Sequence, residues 1–469
     1  MDFLLNLHPY ETEHRKKHQA LYHALRDAIR KGQLQQGDRL PATRSLANRY
    51  HLSRGTVTLV YDMLWADGYI EAQKGSGTYV AYQTPDQTPP KTTSKPVSLS
   101  TWGQRLKAIP QAGNPQHQWS FLGGAPLPQR EWTKALRNAT RNIATLMGDR
   151  ITPTEGLFHL REAIAAHLNR ARGLTIQAND IIITNGSQQA LALLIQLLID
   201  PNDAVVIEDP SYSGTRSAIA TTGGQIVPAS VDHNGMIVDN WDAKLAIVTP
   251  GHQFPTGVVL QRNRRLALLD WAEKQNAIVV EDDYDSDFRR HGRPIEPLKV
   301  LDTHNRVAYI GTYSRAFNRA LRIGYIILPP DLKAHFIHAK QTYEPQPTAL
   351  LEQQAMASFM KQGHYERYLR RMARIYAHRY DHLIDLFNTY LPQAFTWTQS
   401  EVGTYLFGWW NGSNTDLQKF QHRCEQHHVT WYDPMTCFIN NKKPGALFGL
   451  ARLNDEQMET AIKLMADCY

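Results

Sequence analysis

The sequence predicts an α/β protein built in two parts, and three observations support this. Residues before about 82 show helical apolar stripes followed by two short alternating strands. From about residue 119 onward, short apolar runs alternate with helical segments, which indicates a mostly parallel sheet covered by helices. A chain of 469 residues is also too long for one ordinary core.

Composition narrows the class of protein. Hydrophobic residues make up 42% and charged residues 20%, as in soluble globular proteins. The net charge of +7 permits nucleic-acid binding without establishing it. There is no secretory-signal pattern and no apolar run of the roughly 18 residues that a membrane span needs, so we expect no membrane contact. Cys424, Cys437 and Cys468 lack metal-ligand spacing, which favours a reduced cytoplasm and no metal site.

The N-terminal part predicts three helices and a hairpin. Residues 21–29 carry a helical apolar stripe. A short helix is expected over 44–50, capped by Thr43, and a second helix follows with Ser53 as its cap. Alternating residues on either side of the Lys74–Gly77 turn predict the hairpin. This order of elements is that of a winged helix–turn–helix.

Residues 32–80 closely resemble the DNA-binding domain of the GntR family, with its landmarks in order. In such folds the first turn of the second helix enters the major groove and the hairpin tip approaches the backbone. The resemblance implies contact with double-stranded DNA by Arg44, Ser53, Arg54, Gly55, Thr56, Lys74 and Gly75. Two other interpretations are open: these cations are solvated surface charges, or the module binds another protein.

Between the two parts, residues 83–118 predict a linker. The stretch 84–100 is rich in Pro, Thr, Ser and Lys and has no periodicity, as in an extended flexible tether. A short helix over 102–109 is expected to dock on a neighbouring element. We therefore place the DNA-binding domain at 12–82, the flexible linker at 83–118 and the body at 119–469.

Several polar turns follow predicted strands of the body. The turn 184–188 opens a helix, where free N–H groups bind anions. Residues 208–212 place an aromatic side chain at the carboxyl edge of the sheet, where ligands bind in open α/β folds. Residues 281–287 carry five carboxylates, which is also compatible with a metal site, but no His or Cys recurs at a matching spacing.

The stretch 307–324 is the most informative part of the body. An apolar strand over 307–310 breaks at Gly311 into the hydroxyl-rich turn of Thr312 and Ser314. Arg315 and Arg322 follow before a second strand. Hydroxyl donors and guanidinium forks at a strand end form a natural anion seat.

Together these turns resemble the fold-type I aminotransferase body of MocR-type regulators, the GntR branch fused to such a domain. The resemblance covers most of 119–469 and implies a body with large and small lobes that binds pyridoxal phosphate. It implies that Tyr212 stacks on the pyridine ring, Asp282 pairs with the ring nitrogen and Tyr284 hydrogen-bonds the ring 3-oxygen. The phosphate would be held by Gly186, Ser187, Gln188, Thr312, Ser314 and Arg322.

Two positions depart from the family pattern. Arg315 occupies the place of the Schiff-base lysine, and a guanidinium cannot supply a free amine. Covalent attachment of the cofactor at 315 is therefore chemically excluded, and transamination is not expected. Leu447 occupies the place of an arginine that holds a substrate carboxylate, and Arg452 would point to the opposite strand face.

These features predict a cytoplasmic, dimeric, DNA-binding transcription regulator that senses a small molecule and is not an enzyme. The ligand interpretation stays open among non-covalent pyridoxal phosphate, another phosphorylated or anionic molecule, and an empty body used for dimerisation. The alternatives for the whole chain are an aminotransferase-like enzyme with a DNA-binding head and a ligand-independent DNA-binding dimer. The effector, the operator and the direction of regulation are not encoded in any recognisable motif.

Overall fold

The computed structural model describes residues 4–73, 75–83, 97–107, 109, 117–123, 130–141, 152–290, 295–440 and 442–469. The chain divides into two units, Met1–Ser98 and Leu99–Tyr469. Most of the predicted linker lies outside the described residues. In the described part of the chain, no helix is long and apolar enough to cross a membrane.

The N-terminal unit is a winged helix–turn–helix. Its elements are α1 (His8–Glu13), α2 (Lys17–Arg30), α3 (Thr43–Arg49), α4 (Arg54–Ala66), β1 (Ile70–Gln73) and β2 (Gly77–Val80). The two strands pair antiparallel, with Ile70 opposite Val80. Buried apolar residues of α2, α3, α4 and the hairpin form one core. The predicted fold of this unit is confirmed.

The two predicted helix caps have different outcomes. Ser53 precedes α4, and its Oγ accepts a hydrogen bond of 3.0 Å from the Thr56 N–H, as predicted. The prediction that Thr43 caps α3 is wrong. Thr43 is already the first helical residue, and Ala42 precedes it without a side-chain cap, since the chain turns into the helix one residue earlier than the hydroxyl suggests.

The body contains an eight-stranded sheet with the order β4-β11-β10-β9-β8-β5-β6-β7. Six strands run in one direction, while β11 and β7 run antiparallel to their neighbours. The strands are β4 (Ile181–Thr184), β5 (Ala204–Asp209), β6 (Gln225–Asp232), β7 (Gly235–Met236), β8 (Leu245–Val248), β9 (Ile278–Asp283), β10 (Val307–Thr312) and β11 (Gly324–Ile327). A mostly parallel sheet is thus confirmed, and the sequence patterns missed only β6 and β7 among its strands.

Helices cover both faces of this sheet, because apolar residues of alternate strand positions enter two separate cores. The helices of the large lobe are α6 (Arg130–Arg141), α7 (Phe158–Arg172), α8 (Ser187–Leu198), α9 (Ser213–Thr222), α10 (Arg262–Lys274), α11 (Leu298–Leu301), α12 (Tyr313–Ala316), α13 (Pro330–Tyr343) and α14 (Leu350–Lys361). The long helix α15 (His364–Tyr390) then leads into the small lobe.

The small lobe has a three-stranded antiparallel sheet in the order β12-β13-β15. Its elements are β12 (Phe395–Trp397), β13 (Tyr405–Trp410), α16 (Asn414–Gln426), β14 (Val429–Thr430), β15 (Gly445–Gly449) and α17 (Asp455–Cys468). The short strand β14 pairs in parallel with β3 (Trp119–Ser120). The small lobe therefore begins after the long helix α15 ends at Tyr390.

Within the second unit, the short helix expected over 102–109 lies at α5 (Thr101–Lys107) and packs against α9. The Arg105 Nη1 donates to the carbonyl oxygens of Thr222 and Thr221, at 2.8 and 3.4 Å. Gly223 adopts φ of +83°, and a Cβ there would lie 2.5 Å from the Arg105 guanidinium carbon. The end of α9 is therefore shaped to receive this arginine.

Candidate functional site

Most of the described residues predicted to contact DNA are exposed on the N-terminal unit. Arg44 and Arg54 are solvent-exposed at the starts of α3 and α4. Ser53 and Thr56 interact with each other at the helix cap, and Gly55 follows on the first exposed turn. Gly75 is exposed at the hairpin tip with φ of +79°, whereas Lys74 lies outside the described residues. The exposed first turn of α4 presents the N–H groups and short side chains that groove contact requires.

The predicted anion seat forms at the start of α8. Gly186 has φ of +76°, and a Cβ there would lie 3.0 Å from the Arg322 Nη2 atom. The same Nη2 donates to the Asn185 carbonyl at 2.9 Å. A Cβ at Gly324 would lie 2.7 Å from the Gly186 carbonyl carbon, so two glycines let β11 approach the turn. A guanidinium and the start of a helix thus face the same space.

Hydrogen bonds that involve the buried side chains of Glu344 and Lys340 hold this turn in place. The Glu344 Oε2 accepts hydrogen bonds from Gln189 Nε2 at 2.9 Å and Asn185 Nδ2 at 3.4 Å, and lies 3.3 Å from Lys340 Nζ. Thr348 Oγ1 donates to Asn185 Oδ1 at 2.6 Å. Lys340 Nζ also donates to the Thr154 carbonyl at 2.9 Å. These contacts fix the turn and leave the N–H groups at the start of α8 available to an anion.

Asp282 lies in β9 with 7% of its surface exposed, and its Oδ1 atom has no hydrogen-bond partner among the described residues. Burial, with the neighbouring charge of Asp283, raises the pKa of Asp282 to about 7. A buried carboxylate oxygen without a donor is costly unless a ligand supplies one. The side chain therefore suits a ligand that carries an N–H group.

Tyr284 is at the centre of a hydroxyl and imidazole cluster. Its hydroxyl is 2.8 Å from the hydroxyl of Tyr405 and 3.2 Å from Nδ1 of His252. Burial, with Tyr405 and Asp285 nearby, raises the pKa of Tyr284 well above 10, so its hydroxyl stays protonated. The Arg315 guanidinium lies 5.8 Å from the Tyr284 ring centroid and 5.7 Å from that of Tyr405. Arg315 therefore lies beside the aromatic side chains of this cluster.

Two glycines make room for His252. A Cβ at Gly403, which has φ of +105°, would lie 2.2 Å from His252 Cε1, and a Cβ at Gly257 would lie 3.2 Å from its Nε2. Asp285 Oδ2 is 3.5 Å from His252 Nδ1 and accepts hydrogen bonds from the Thr404 N–H and hydroxyl, at 3.0 and 3.2 Å. The segment that enters the small lobe is therefore bound to the loop after β9.

The remaining predicted site residues lie at the same sheet edge. Tyr212 precedes α9 with 44% of its surface exposed, and its ring meets that of Phe254 edge-on at 6.0 Å. A Cβ at Gly214 would lie 2.3 Å from the Tyr212 ring and 2.5 Å from Gln188 Oε1, which links this aromatic to the start of α8. Ser187 begins that helix. Thr312 Oγ1 accepts from the Ser314 N–H at 3.2 Å, and Ser314 Oγ is buried without a described partner.

The acidic run is a series of separately bound carboxylates rather than one cluster. Glu281 accepts from the Leu298 and Lys299 N–H groups, both at 2.8 Å. Asp283 pairs with Arg172 at 2.7 Å, and Asp287 accepts from the Tyr365 hydroxyl at 2.9 Å. Among the described residues, no group of three His, Cys, Asp or Glu is placed to hold a metal ion.

His167 should make the stability of the body depend on pH. Burial would lower its pKa, but Asp287 and Glu366, each 3.7 Å from a ring nitrogen, raise the pKa to about 9. Because the folded pKa exceeds the unfolded 6.5, this stabilisation is complete below pH 6.5 and is lost as pH rises through 9. We expect the loss to be on the order of 3 kcal/mol.

The measurement is the thermal midpoint from pH 6 to 10, for the wild type and His167→Gln. Other groups titrate in this window, so the difference between the two curves is the readout. It should shrink as pH rises, and a difference that does not change with pH would contradict the assignment.

The position predicted to lack a carboxylate-binding arginine is apolar in the structure. Leu447 lies in β15 with 3% exposure and packs with Phe254, Tyr405, Phe407 and Cys437. The expectation that Arg452 points to the opposite face of that strand is wrong, because β15 ends at Gly449 and Arg452 is exposed beyond it. The described strand β15 (Gly445–Gly449) carries no cationic side chain.

The structure therefore gathers the predicted site residues of the body into two adjoining groups, the anion seat and the Asp282–Tyr284–Arg315 group. Sequence reasoning gave no role to His252 or Tyr405. His252 lies in the loop between β8 and α10, where no motif of the sequence marked it. Tyr405 is 121 residues from Tyr284 and belongs to another lobe, so no spacing signalled it.

Two family models match the chain. "Bacterial regulatory proteins, gntR family" matches residues 17–80, and "Aminotransferase class I and II" matches residues 120–463. Among solved structures, an archaeal alanine:glyoxylate aminotransferase is 26% identical with a TM-score of 0.69, covering 80% of this chain and 96% of its own. The kynurenine aminotransferase of Pyrococcus horikoshii, solved with PMP, is 25% identical with a TM-score of 0.67 and covers 80% and 95%.

Curated relatives combine both parts. The probable rhizopine catabolism regulatory protein MocR of Rhizobium meliloti is 32% identical over 96% of this chain and 93% of its own length. The pyridoxine biosynthesis transcriptional regulator PdxR of Corynebacterium glutamicum is 33% identical over 78% of this chain and 79% of its own. The chain belongs to the MocR-type branch of the GntR family and is a DNA-binding transcription regulator with an aminotransferase-like body.

Proposed function

We propose that the body binds a phosphorylated pyridine, pyridoxal phosphate or a close analogue, without a covalent bond, and that the bound ligand alters operator affinity. The observation that carries this proposal is the Asp282 Oδ1 atom, buried and without a described donor at the sheet edge. Pyridoxal phosphate fits this edge, because its protonated ring nitrogen supplies the missing donor. Such pairing would hold Asp282 deprotonated despite its raised pKa.

The other contacts follow from the same placement. Gly186, Ser187 and Gln188 would present helix N–H groups to the phosphate, and Arg322 would add a guanidinium beside them. Tyr212 would cover a ring face and the protonated Tyr284 hydroxyl would donate to the ring 3-oxygen. Thr312 and Ser314 would donate from the turn after β10, where Ser314 Oγ has no described partner.

We further propose that the body is not an enzyme. Pyridoxal phosphate supplies an electrophilic aldehyde and an electron-accepting ring, and an aminotransferase uses both through a lysine amine. Arg315 takes that lysine's place, and its guanidinium stays protonated and offers no free nucleophile. The ligand would act by favouring one arrangement of the lobes in a cytoplasmic homodimer, which requires different affinities for the two arrangements.

The test is calorimetric titration of the full chain with pyridoxal phosphate, followed by borohydride reduction and intact mass measurement. Operator duplexes selected from random DNA would then be assayed with and without the ligand at fixed salt. Saturable binding, no mass adduct and a changed operator affinity are expected. A covalent adduct with amino-acid turnover would favour the enzyme alternative, and unchanged operator affinity would favour a ligand-independent dimer.

For the DNA interface, we expect Arg54→Ala to weaken operator binding by about 1–3 kcal/mol, because a base-contacting arginine contributes energy of that size. Arg54 is exposed on the first turn of α4, where groove contact is expected. Gel-shift titration at fixed salt gives the affinity. Arg30→Ala is the matched control, since it removes one exposed positive charge from α2. Equal losses of operator affinity for both variants would show that Arg54 contributes only general electrostatic attraction.

A further inference from the structure

Arg315 is a half-buried cation that has no hydrogen bond or ion pair with any described residue. Its guanidinium carbon lies 5.8 Å from the ring centroid of Tyr284 and 5.7 Å from that of Tyr405. Aromatic faces offset only part of the cost of taking a guanidinium out of water, and charges in such places are usually paired with an anion. Among the described residues no carboxylate forms an ion pair with Arg315, and Asp285, the acidic side chain of this cluster, is already bound by His252 and Thr404.

The polar groups around the site differ in what they require from a ligand. The unpartnered carboxylate oxygen of Asp282 requires a donor, while the unpartnered hydroxyl of Ser314 and the guanidinium of Arg315 can donate. Arg322 and the start of α8 supply a separate seat for a phosphate. A matching ligand carries one cationic N–H and two anionic groups.

We propose that the preferred ligand is a pyridine 5′-phosphate with a carboxylate on ring carbon 4, held by Arg315. This rests on the proposed function, because it assumes that Asp282 pairs with the ring nitrogen and that Arg315 replaces the amine that would meet carbon 4. A carboxylate there accepts two charge-assisted hydrogen bonds from one guanidinium fork. An aldehyde oxygen offers a neutral acceptor, and a protonated aminomethyl group is repelled.

The apolar surroundings of Leu447 support the same ligand class. Leu447 packs against Phe254, Tyr405, Phe407 and Cys437, so an amino-acid carboxylate would find no cation on β15. The proposed site therefore has a cation, Arg315, near ring carbon 4 and has none on β15. The expected ligand therefore carries its carboxylate on the ring and does not need an amino-acid portion.

The experiment compares three probes by calorimetry on the full chain: pyridoxal phosphate, pyridoxamine phosphate and the 4-carboxylate obtained by oxidising the aldehyde of pyridoxal phosphate. We expect the carboxylate to bind about tenfold or more tighter than the aldehyde, the scale of one charge-assisted hydrogen bond, and the amine to bind most weakly. Arg315→Gln should remove the preference for the carboxylate. The exposed Arg452→Gln should keep it.

The outcomes separate the two proposals. If the aldehyde binds as tightly as the carboxylate in the wild type, the carbon 4 assignment is overturned while non-covalent cofactor binding stands. If none of the three binds, both fail. If inorganic phosphate competes as well as the full ligands, only the anion seat is real and the ring assignment is lost. Thermal midpoints close to wild type would show that Arg315→Gln has kept the fold.

Discussion

Arg315→Lys is expected to change the protein from no covalent pyridoxal phosphate to nearly one reducible adduct per chain. The wild-type guanidinium cannot attack an aldehyde, whereas a lysine amine can. The same substitution places that amine near the rings of Tyr284 and Tyr405, where partial removal from water favours its neutral, nucleophilic form. Intact mass after borohydride reduction measures the adduct, and peptide mapping locates it.

Lys340 provides an internal control for this experiment. It is the one lysine among the described residues that is buried, with 1% exposure, and burial lowers its pKa. Its Nζ atom is already bound by Glu344 and by the Thr154 carbonyl. A wild-type adduct at Lys340 would show that position 315 has been wrongly identified. Arg315→Lys without any adduct would mean that the ring site itself has been lost.

The position of the body site could be predicted because parallel strands end at a common edge. Asp282, Thr312 and Gly186 each follow or close an apolar run, and the strand register places those ends side by side. The chemistry of single positions also needs no coordinates, since an arginine at position 315 offers no free amine for a Schiff base there. Local patterns therefore predicted the alternation of strands and helices, while the fold type and the departure expected at position 315 came from the resemblance to a known family.

The features that could not be predicted from the sequence depend on contacts between distant segments. Tyr405 reaches Tyr284 from the small lobe, and the room for His252 depends on Gly403, about 150 residues later in the chain. The strand β6 was not predicted from the sequence, because Pro228 interrupts its apolar pattern and most of its residues are only half-buried. The apolar packing of Leu447 likewise follows from tertiary contacts, not from the residues beside it.

Arg172→Ala is expected to destabilise the body by about 3–5 kcal/mol, the cost of breaking a buried ion pair by removing one partner. Arg172 Nη2 lies 2.7 Å from Asp283 Oδ2, and both side chains are less than a tenth exposed. Asp283 also accepts from the Tyr309 hydroxyl, and its charge already raises the pKa of Glu281 and Asp282. Denaturant unfolding of the full chain, followed by a probe in the body, measures the loss.

Arg170→Ala is the matched control, because Arg170 is on the same helix and pairs with Glu366 at 2.7 Å but is 62% exposed. Exposed pairs contribute about 1 kcal/mol or less. Arg172→Met combined with Asp283→Asn should recover most of the loss, since neither partner of the ion pair is left charged and unpaired and Tyr309 keeps an acceptor. The single Arg172 variant should also bind pyridoxal phosphate more weakly, because an unneutralised Asp283 raises the pKa of Asp282 further. Equal losses of unfolding free energy for Arg172→Ala and Arg170→Ala would show that the buried pair stabilises the body no more than the exposed pair does.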